Sequence, residues 1–287
     1  YYWLRPETAL WRARDIRVLD KIKFEGPSLD LCCGDGVYSF IRAGGILTDK
    51  YDAFMDVSDT SNFFKGEDIY TQKINDNKLS DIVKKSAKYK FTVGYDWKQG
   101  LLDKAKRLNL YEELVQGDAN EKLPFKDKQF KTVFSNASYW IENIEGLLSE
   151  LARIIRVDGN IILSVPDSAF LDYSIYNKLI NNTRIKNKEF LKLIDRGRCE
   201  ANFKVLRPKA EWVSLFDNAG LSVKSHKNYL SGTTLKVWDI GLRPFSPALI
   251  DMANMLNSEQ RIKVKNKWVE ESFPIFNGYL NNQDFFE

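Results

Sequence analysis

The chain has 287 residues, enough for one or two domains with a large buried core. Its 43 basic and 39 acidic residues leave a net charge of +4, too small an excess to indicate nucleic-acid binding. Hydrophobic residues make up 44% and charged residues 29%, the balance of a soluble globular protein. No run of about 18 apolar residues occurs, so no membrane span is expected.

The three cysteines do not make a disulfide framework. Cys32 and Cys33 are adjacent within an apparent core strand, and Cys199 stands alone. We interpret all three as reduced thiols. A reducing compartment, and hence a cytoplasmic location, is the expectation.

The first elements are a helix and a strand that ends in a glycine turn. Apolar spacing over residues 7–23 predicts an N-terminal helix, which Gly26-Pro27 ends. The run Leu29-Asp30-Leu31-Cys32-Cys33-Gly34-Asp35-Gly36 is typical of a buried strand and a tight turn, with a helix from about Val37. Such a turn exposes bare backbone to a ligand, and the helix N-terminus points free N–H groups at it. This pattern predicts a nucleotide-type pocket.

Residues 46–90 are polar and lack a clear period, so we interpret them as an insertion. After them strands and helices alternate, apart from a polar interruption at 167–208. Including 29–31, seven strands are predicted, the others at 91–96, 114–118, 132–136, 160–165, 221–229 and 235–240. This alternation predicts an α/β fold with a doubly wound, mostly parallel seven-stranded sheet and helical additions.

The predicted strand ends bring acidic and small polar residues to one sheet edge. In chain order they are Asp30 with Gly34 and Gly36, then Asp96, Gly117-Asp118-Ala119, and Ser135-Asn136. A carboxylate there can accept hydrogen bonds from ribose hydroxyls or from an adenine amino group. No Lys-Ser or Lys-Thr follows the turn, which excludes a P-loop, and Ser39 replaces the third glycine of a dinucleotide site. Several carboxylates with little positive charge favour a cationic, ribose-bearing ligand.

Four stretches in this order resemble the class I S-adenosylmethionine-dependent methyltransferases, especially the small-molecule branch whose turn reads LDLGCGDG. They are LDLCCGDG at 29–36, GYD at 94–96, QGDANEKLPFKDKQFKTVFSNAS at 116–138 and ELARIIRVDGNIILSVPD at 150–167. The resemblance covers roughly residues 28–165 and 205–230. It implies a Rossmann-like fold and methyl transfer from S-adenosyl-L-methionine to a small molecule such as a saccharide, a lipid intermediate or a secondary metabolite.

The resemblance also assigns the cofactor site. Asp30 and the backbone of Gly34–Gly36 would hold the methionine end, Asp96 the ribose and Asp118 the adenine. Cys32 stands where many members have a glycine, and we expect it to take an ordinary backbone conformation. The full predicted cofactor-binding set is Asp30, Cys32, Gly34, Asp35, Gly36, Asp96, Trp97, Asp118, Ala119 and Asn136.

Candidate residues for catalysis and for binding of the methyl acceptor follow the fourth predicted strand or lie further along the chain. A hydroxyl acceptor needs a base, and the candidate catalytic residues are Glu142, His226 and Tyr139. For two of these a structural role is open: Glu142 also suits a solvated helix start, and a lone histidine such as His226 is often structural. The candidate substrate-binding residues are Trp140, Arg196 and Arg198. Trp140 also suits a core anchor. The two arginines could clamp a phosphate or carboxylate of the acceptor, and they also suit surface charge on a flexible loop.

Three regions are predicted: an N-terminal helix at 1–27, a methyltransferase domain at 28–240, and a C-terminal helical extension at 241–287. The domain would carry insertions at about 46–90 and 167–208, the second as a substrate lid. The C-terminal helices would either cap the acceptor pocket or form a homodimer interface. No metal site is expected, because the acidic residues between 49 and 59 lack the EF-hand pattern.

Two other classes stay open from the sequence. One is a regulatory protein that binds S-adenosylmethionine without catalysis. The other is a nicotinamide-dependent oxidoreductase.

Overall fold

The computed structural model describes residues 1–63, 68–72, 82–186, 188–192 and 203–281. Its strands are β1 Ser28–Leu31, β2 Ile46–Leu47, β3 Val83–Lys85, β4 Phe91–Asp96, β5 Tyr111–Gln116, β6 Phe130–Ser135 and β7 Ile155–Leu163. Five of them form one parallel sheet in the order β5-β4-β1-β6-β7, and β2 pairs with β3 as a separate antiparallel pair.

The helices surround this sheet. They are α1 Pro6–Leu19, α2 Val37–Arg42, α3 Gln99–Lys106, α4 Ile144–Ile154, α5 Phe170–Tyr173, α6 Ile175–Asn181, α7 Phe203–Val205, α8 Lys209–Asn218, α9 Gly232–Ile240, α10 Ser246–Asn254 and α11 Ser258–Asn281. Short 3₁₀ turns occupy Ile69–Thr71, Ser138–Trp140 and Arg243–Phe245. No described helix combines the length and the apolar character needed to cross a membrane.

The predicted α/β fold and parallel sheet are confirmed, but the prediction of a seven-stranded sheet is wrong, because this sheet has five strands. Residues 221–229 form no strand, since they are mostly polar and exposed and have no apolar face to bury. Residues 235–240 lie within α9, whose first turn is capped by Ser231 accepting from the N–H of Thr234 at 3.2 Å. The sheet therefore ends at β7 on that side.

Helices bury both faces of the sheet. On one face α4 and α8 pack on β1 and β6, where Leu29 and Val133 are fully buried. On the other face α2 and α3 pack on β4 and β6, around Phe91 and Phe134. Each such side chain contributes roughly 1.5–3 kcal/mol on burial, which explains why these strands are nearly continuous apolar runs.

The strand order fixes where a ligand can bind. The chain runs from β1 outward through β4 to β5, then returns to the other side of β1 as β6 and β7. The order therefore reverses between β1 and β6. In open parallel sheets a crevice forms at that reversal, outside the carboxyl ends of the strands.

Residues 46–63 and the C-terminal helices pack together. The Arg261 guanidinium donates to both oxygens of the buried Asp52 carboxylate, at 2.9 and 3.1 Å. Lys265 donates to the carbonyl oxygen of Tyr51 at 3.0 Å. Around these polar contacts the shared apolar core consists of Trp3, Leu4, Phe54, Val57, Ile69, Ile250 and Ala253.

Candidate functional site

The turn after β1 uses left-handed backbone at alternate residues. Cys32, Gly34 and Gly36 have φ of 59°, 58° and 73°. The expectation that Cys32 takes an ordinary conformation is therefore wrong, because the chain must reverse directly after a short strand. Left-handed backbone costs a non-glycine residue about 1–2 kcal/mol, which is the physical reason for a glycine at this position in related turns.

The two glycines of the turn have different surroundings. A Cβ on Gly36 would lie 3.0 Å from the Tyr111 ring and 3.3 Å from Ala105 Cβ, so close packing requires glycine there. A Cβ on Gly34 would meet nothing within 4 Å. Gly34 therefore exposes its backbone to open space at the predicted cofactor edge.

Asp30 lies beneath this turn. Its side chain is 1% exposed, and its Oδ2 accepts a hydrogen bond from the Tyr111 hydroxyl at 2.7 Å. Burial raises the pKa of Asp30 to about 6, although hydrogen bonds from Ser39 and Tyr111 oppose the shift. This position braces β5 and α2 against β1.

Asp96, at the end of β4, ties that strand to the turn. Its Oδ2 accepts from the N–H of Gly34 and its Oδ1 from the N–H of Lys98, both at 2.9 Å. Burial raises the pKa of Asp96, and the Lys98 and Gly34 N–H groups oppose the shift. Trp97 follows with 62% of its surface exposed and the Lys98 ammonium 5.0 Å from its ring centre. The exposed indole is available to a flat ligand.

Asp118 and Ala119 follow β5 at the same edge. The Asp118 side chain is exposed, and its Oδ1 accepts from the N–H and Nδ2 of Asn120 at 2.8 and 2.9 Å. The Tyr95 hydroxyl donates to the Asp118 carbonyl at 3.1 Å, which fixes the backbone here. Ala119 is buried in the core beside β4.

The loop after β6 holds the next group of predicted residues. Ser135 is buried and accepts from the N–H of Ala137 at 3.3 Å, and Asn136 and Tyr139 are half-buried. Trp140 is 51% exposed, so it is not a core anchor. Glu142 is exposed and pairs with Lys204 at 3.3 Å.

The remaining predicted residues lie apart from this loop or outside the described part. His226 is exposed in the irregular segment that follows α8. Arg196, Arg198 and Cys199 lie outside the described residues.

Two charged residues of α1 reach the same edge and were not predicted. Arg12 donates from Nη1 to Asp15 Oδ2 at 3.2 Å, and Asp15 is 4% exposed. Tyr229 lies beside the Asp15 carboxyl, and its hydroxyl is 2.8 Å from Ser164 Oγ after β7. The only sequence signal was charge inside an amphipathic helix, and charge on a helix usually indicates a solvated face.

Residues 78–163 match the family model described as "Methyltransferase domain". A search of curated proteins gave no match. The match agrees with the predicted resemblance to S-adenosylmethionine-dependent methyltransferases over this part of the chain.

Solved structures with a similar fold have low sequence identity to this chain. A SAM-dependent methyltransferase of Thermotoga maritima is 14% identical, with 73% of this chain and 70% of that chain covered and a TM-score of 0.43. The YcgJ protein of Bacillus subtilis is 16% identical, with 87% and 86% covered and a TM-score of 0.42. Geranyl diphosphate C-methyltransferase of Streptomyces coelicolor is 13% identical, with 72% and 58% covered and a TM-score of 0.41. Similarity at this level transfers neither substrate nor mechanism to this chain.

Proposed function

We propose that this enzyme methylates a small molecule, with S-adenosyl-L-methionine bound across the edge of the sheet formed by β5, β4, β1 and β6. The observation that carries the proposal is the pair of hydrogen bonds at Asp96. By holding the Gly34 N–H, its carboxylate links the end of β4 to the glycine turn after β1. That linkage brings a carboxylate and bare backbone together at the carboxyl edge of the sheet, where ligands bind in open parallel sheets.

The chemistry of the donors suits the cofactor. Asp96 and Asp118 present carboxylate oxygens that can accept from ribose and adenine groups. Gly34 has room for close approach, since no atom lies within 4 Å of a Cβ placed there. Asp30 would contribute by bracing the turn, because its carboxylate is enclosed beneath Tyr111.

The bound cofactor supplies an already activated methyl group, so catalysis by the protein consists mainly of positioning. The turn and Asp96 would fix the donor, and the loop at 136–142 would border the acceptor. An acceptor hydroxyl would also have to lose a proton to a base. Glu142, His226 and Tyr139 stay the predicted candidates, although Glu142 and His226 are exposed to solvent.

The acceptor is proposed to be a small molecule because the chain has a near-neutral charge balance. An excess of four positive charges in 287 residues does not build the basic surface that a nucleic acid needs. Saccharides, lipid intermediates and secondary metabolites stay candidates. A homodimer, a cytoplasmic location and the three-region division of the chain stay predictions.

Calorimetric titration with S-adenosylhomocysteine and with NAD tests the cofactor site. We expect the former to bind and NAD to give no heat of binding. Asp96→Ala should weaken S-adenosylhomocysteine at least tenfold, because charge-assisted hydrogen bonds contribute about 1.5–3 kcal/mol. Asp103→Ala, a surface change on neighbouring α3, should leave the affinity unchanged. Equal affinities for both variants would remove Asp96 from the site.

Transfer of a labelled methyl group to fractionated cell extract tests the acceptor class. We expect label in the low-molecular-weight fraction, and label confined to protein or nucleic acid would contradict the proposal. Binding of S-adenosylhomocysteine with no transfer to any fraction would instead favour a regulatory protein.

A further inference from the structure

Asp15 is a buried carboxylate on α1. Its side chain is 4% exposed, and its Oδ2 accepts from Arg12 Nη1 at 3.2 Å. Its Oδ1 is also buried and has no hydrogen-bond partner among the described residues. A buried oxygen in this state costs about 1–3 kcal/mol, and native structures contain few of them. The fold therefore holds here a carboxylate oxygen with unused hydrogen-bonding capacity.

The Tyr229 hydroxyl joins Asp15 to the end of β7. It lies beside the Asp15 carboxyl and 2.8 Å from Ser164 Oγ, and either hydroxyl can be the donor of that bond. Arg14 Nε donates to the Tyr229 carbonyl at 3.2 Å, which anchors Tyr229 to the same helix. Because a phenol hydroxyl both donates and accepts, Tyr229 can take a proton from Ser164 while it gives its own to Asp15.

Ser164 lies at the other end of this chain of groups, next to the loop after β6. Its N–H donates to the Ser135 carbonyl at 2.9 Å, and its carbonyl accepts from Ser138 Oγ at 2.6 Å. Ser135 ends β6, and Ser138 lies in the loop at 136–142 that would border the acceptor. Ser164 is half-buried, whereas Asp15 is covered. A path of hydroxyl groups therefore leads from that loop to a buried carboxylate.

Other carboxylates near the proposed acceptor are less suited to take up a proton. Glu142 is exposed and pairs with Lys204 at 3.3 Å. Asp96 already accepts hydrogen bonds from backbone N–H groups through both of its oxygens. An exposed carboxylate is a weak base at neutral pH, because water stabilises its charge.

The surroundings of Asp15 make it a stronger base than an exposed carboxylate. Burial raises the pKa of Asp15, and the Arg12 guanidinium opposes the shift. Two further ionisable groups face it, the Tyr38 hydroxyl from α2 and the Tyr229 hydroxyl. Burial raises the pKa of both tyrosines, so they stay uncharged at neutral pH. Arg12 thus favours the ionised carboxylate, while burial increases its affinity for a proton.

We propose that the hydroxyls of Ser164 and Tyr229 relay a proton from the methyl acceptor to Asp15, and that the acceptor is therefore an alcohol or a phenol. This inference rests on the proposed function. As the acceptor hydroxyl gives its proton to Ser164, Ser164 gives its own to Tyr229, and Tyr229 gives its own to Asp15 Oδ1. The acceptor oxygen forms a bond to the methyl carbon, and the bond from that carbon to sulfur breaks with its electron pair left on sulfur. The products are a methyl ether, S-adenosylhomocysteine and a protonated Asp15, which returns its proton to solvent along the same path.

Transfer of a labelled methyl group to the low-molecular-weight fraction of cell extract, measured from about pH 5 to about pH 9, tests the relay. The rate of the unaltered protein should rise with pH, since Asp15 must be ionised to accept the proton. Asp15→Asn should lower the rate at least about a hundredfold and remove this rise, while the affinity for S-adenosylhomocysteine changes less than about twofold. Tyr229→Phe breaks the same path and should also remove the rise, so the double variant should lose little more than either single variant. Asp20→Asn is the matched control, because it changes an exposed carboxylate directly after the same helix.

Three other results would reject the relay. If Asp15→Asn keeps the rate of the unaltered protein, or loses rate without a change in the pH profile, Asp15 only supports the fold. A labelled methyl group on nitrogen, on carbon or on a carboxylate, as read by carbon-13 NMR of the product, would show that no hydroxyl is methylated. In these cases the proposed function stands, because transfer to a small molecule still occurs.

The failure of the proposed function gives a different result. S-adenosylhomocysteine would then bind while no fraction of the extract accepts a methyl group from the unaltered protein, and the relay would fall with the proposed function. Circular dichroism checks that the variants are folded. If Asp15→Asn is not folded, the rate and pH profile of Tyr229→Phe decide the test.

Discussion

The Tyr111 hydroxyl donates a 2.7 Å hydrogen bond to the Asp30 carboxylate, and both side chains are buried beneath the glycine turn. The bond joins the end of β1 to the edge strand β5, with β4 between them. The bond holds Asp30 in the core, although Asp30 belongs to the stretch 29–36 that carries the resemblance. The backbone of the turn, and not the Asp30 side chain, is therefore left to face a ligand at the carboxyl edge of the sheet.

Asp30→Asn should make stability less dependent on pH. Burial raises the folded-state pKa of Asp30 to about 6 from 3.8, so the folded protein holds a proton that the unfolded chain has released. The contribution of Asp30 to the free energy of unfolding therefore falls as pH rises from about 4 to about 6, by roughly 2–3 kcal/mol. Urea denaturation of both proteins at pH 4 and pH 7 checks this. The free energy of unfolding of Asp30→Asn, relative to that of wild type, should be higher at pH 7 than at pH 4. A lower relative value at pH 7 would refute the raised pKa of Asp30.

Substitution by glycine and by alanine should have opposite orders of stability at the two adjacent cysteines, Cys32 and Cys33. Cys32 has φ of 59°, so Cys32→Gly relieves strain that Cys32→Ala keeps. We expect the glycine variant to be more stable than the alanine variant by about 1 kcal/mol. Cys33 has no such backbone, and there alanine should be the more stable by about 0.5–1 kcal/mol. Urea midpoints of the four variants measure both differences, and the same order at both sites would show that the turn is not strained at Cys32.

Substitution of the two turn glycines by alanine should have different effects: at Gly36 mainly on stability, and at Gly34 mainly on cofactor binding. At Gly36 it would press against the Tyr111 ring 3.0 Å away in addition to the left-handed backbone, so we expect a loss of several degrees in Tm. At Gly34 it would add strain but no clash, because the Cβ enters open space. Gly34→Ala should therefore lose more affinity for S-adenosylhomocysteine, per degree of Tm, than Gly36→Ala. Equal ratios for the two variants would mean that Gly34 does not face the cofactor.

Removing one partner of the Asp52–Arg261 pair should destabilise the chain strongly. Asp52 is 2% exposed, and Arg261 → Ala would leave its carboxylate buried without that partner. We expect a loss of about 3–5 kcal/mol, whereas the double variant with Asp52→Ala should recover part of it. Breaking the exposed pair Lys267–Glu271 with Lys267→Ala serves as the control and should cost less than about 1 kcal/mol. A double-mutant cycle by chemical denaturation measures the coupling, and additive losses would show that the pair does not link residues 46–63 to α11.

The sequence by itself determined the glycine turn, the order of the main strands along the chain and the resemblance to a methyltransferase. These features are local, because a buried apolar run, a Gly-rich turn and an acidic strand end are each set by neighbouring residues. Their order along the chain then places Asp96 and Asp118 at one edge, since parallel strands end on the same side.

Only the tertiary structure decided which carboxylates stay at that edge and where the sheet ends. Asp30 and Asp96 both lie near the carboxyl ends of neighbouring strands, yet Tyr111 encloses Asp30 while Asp96 holds the turn. Residues 221–229 have strand-like spacing but no apolar face to bury, so they do not extend the sheet. The Arg12 guanidinium lies 5.4 Å from the Tyr38 ring centre because of how α1 packs, and that packing depends on contacts with residues far along the chain, such as Trp11 with Trp238 at 4.4 Å between ring centres.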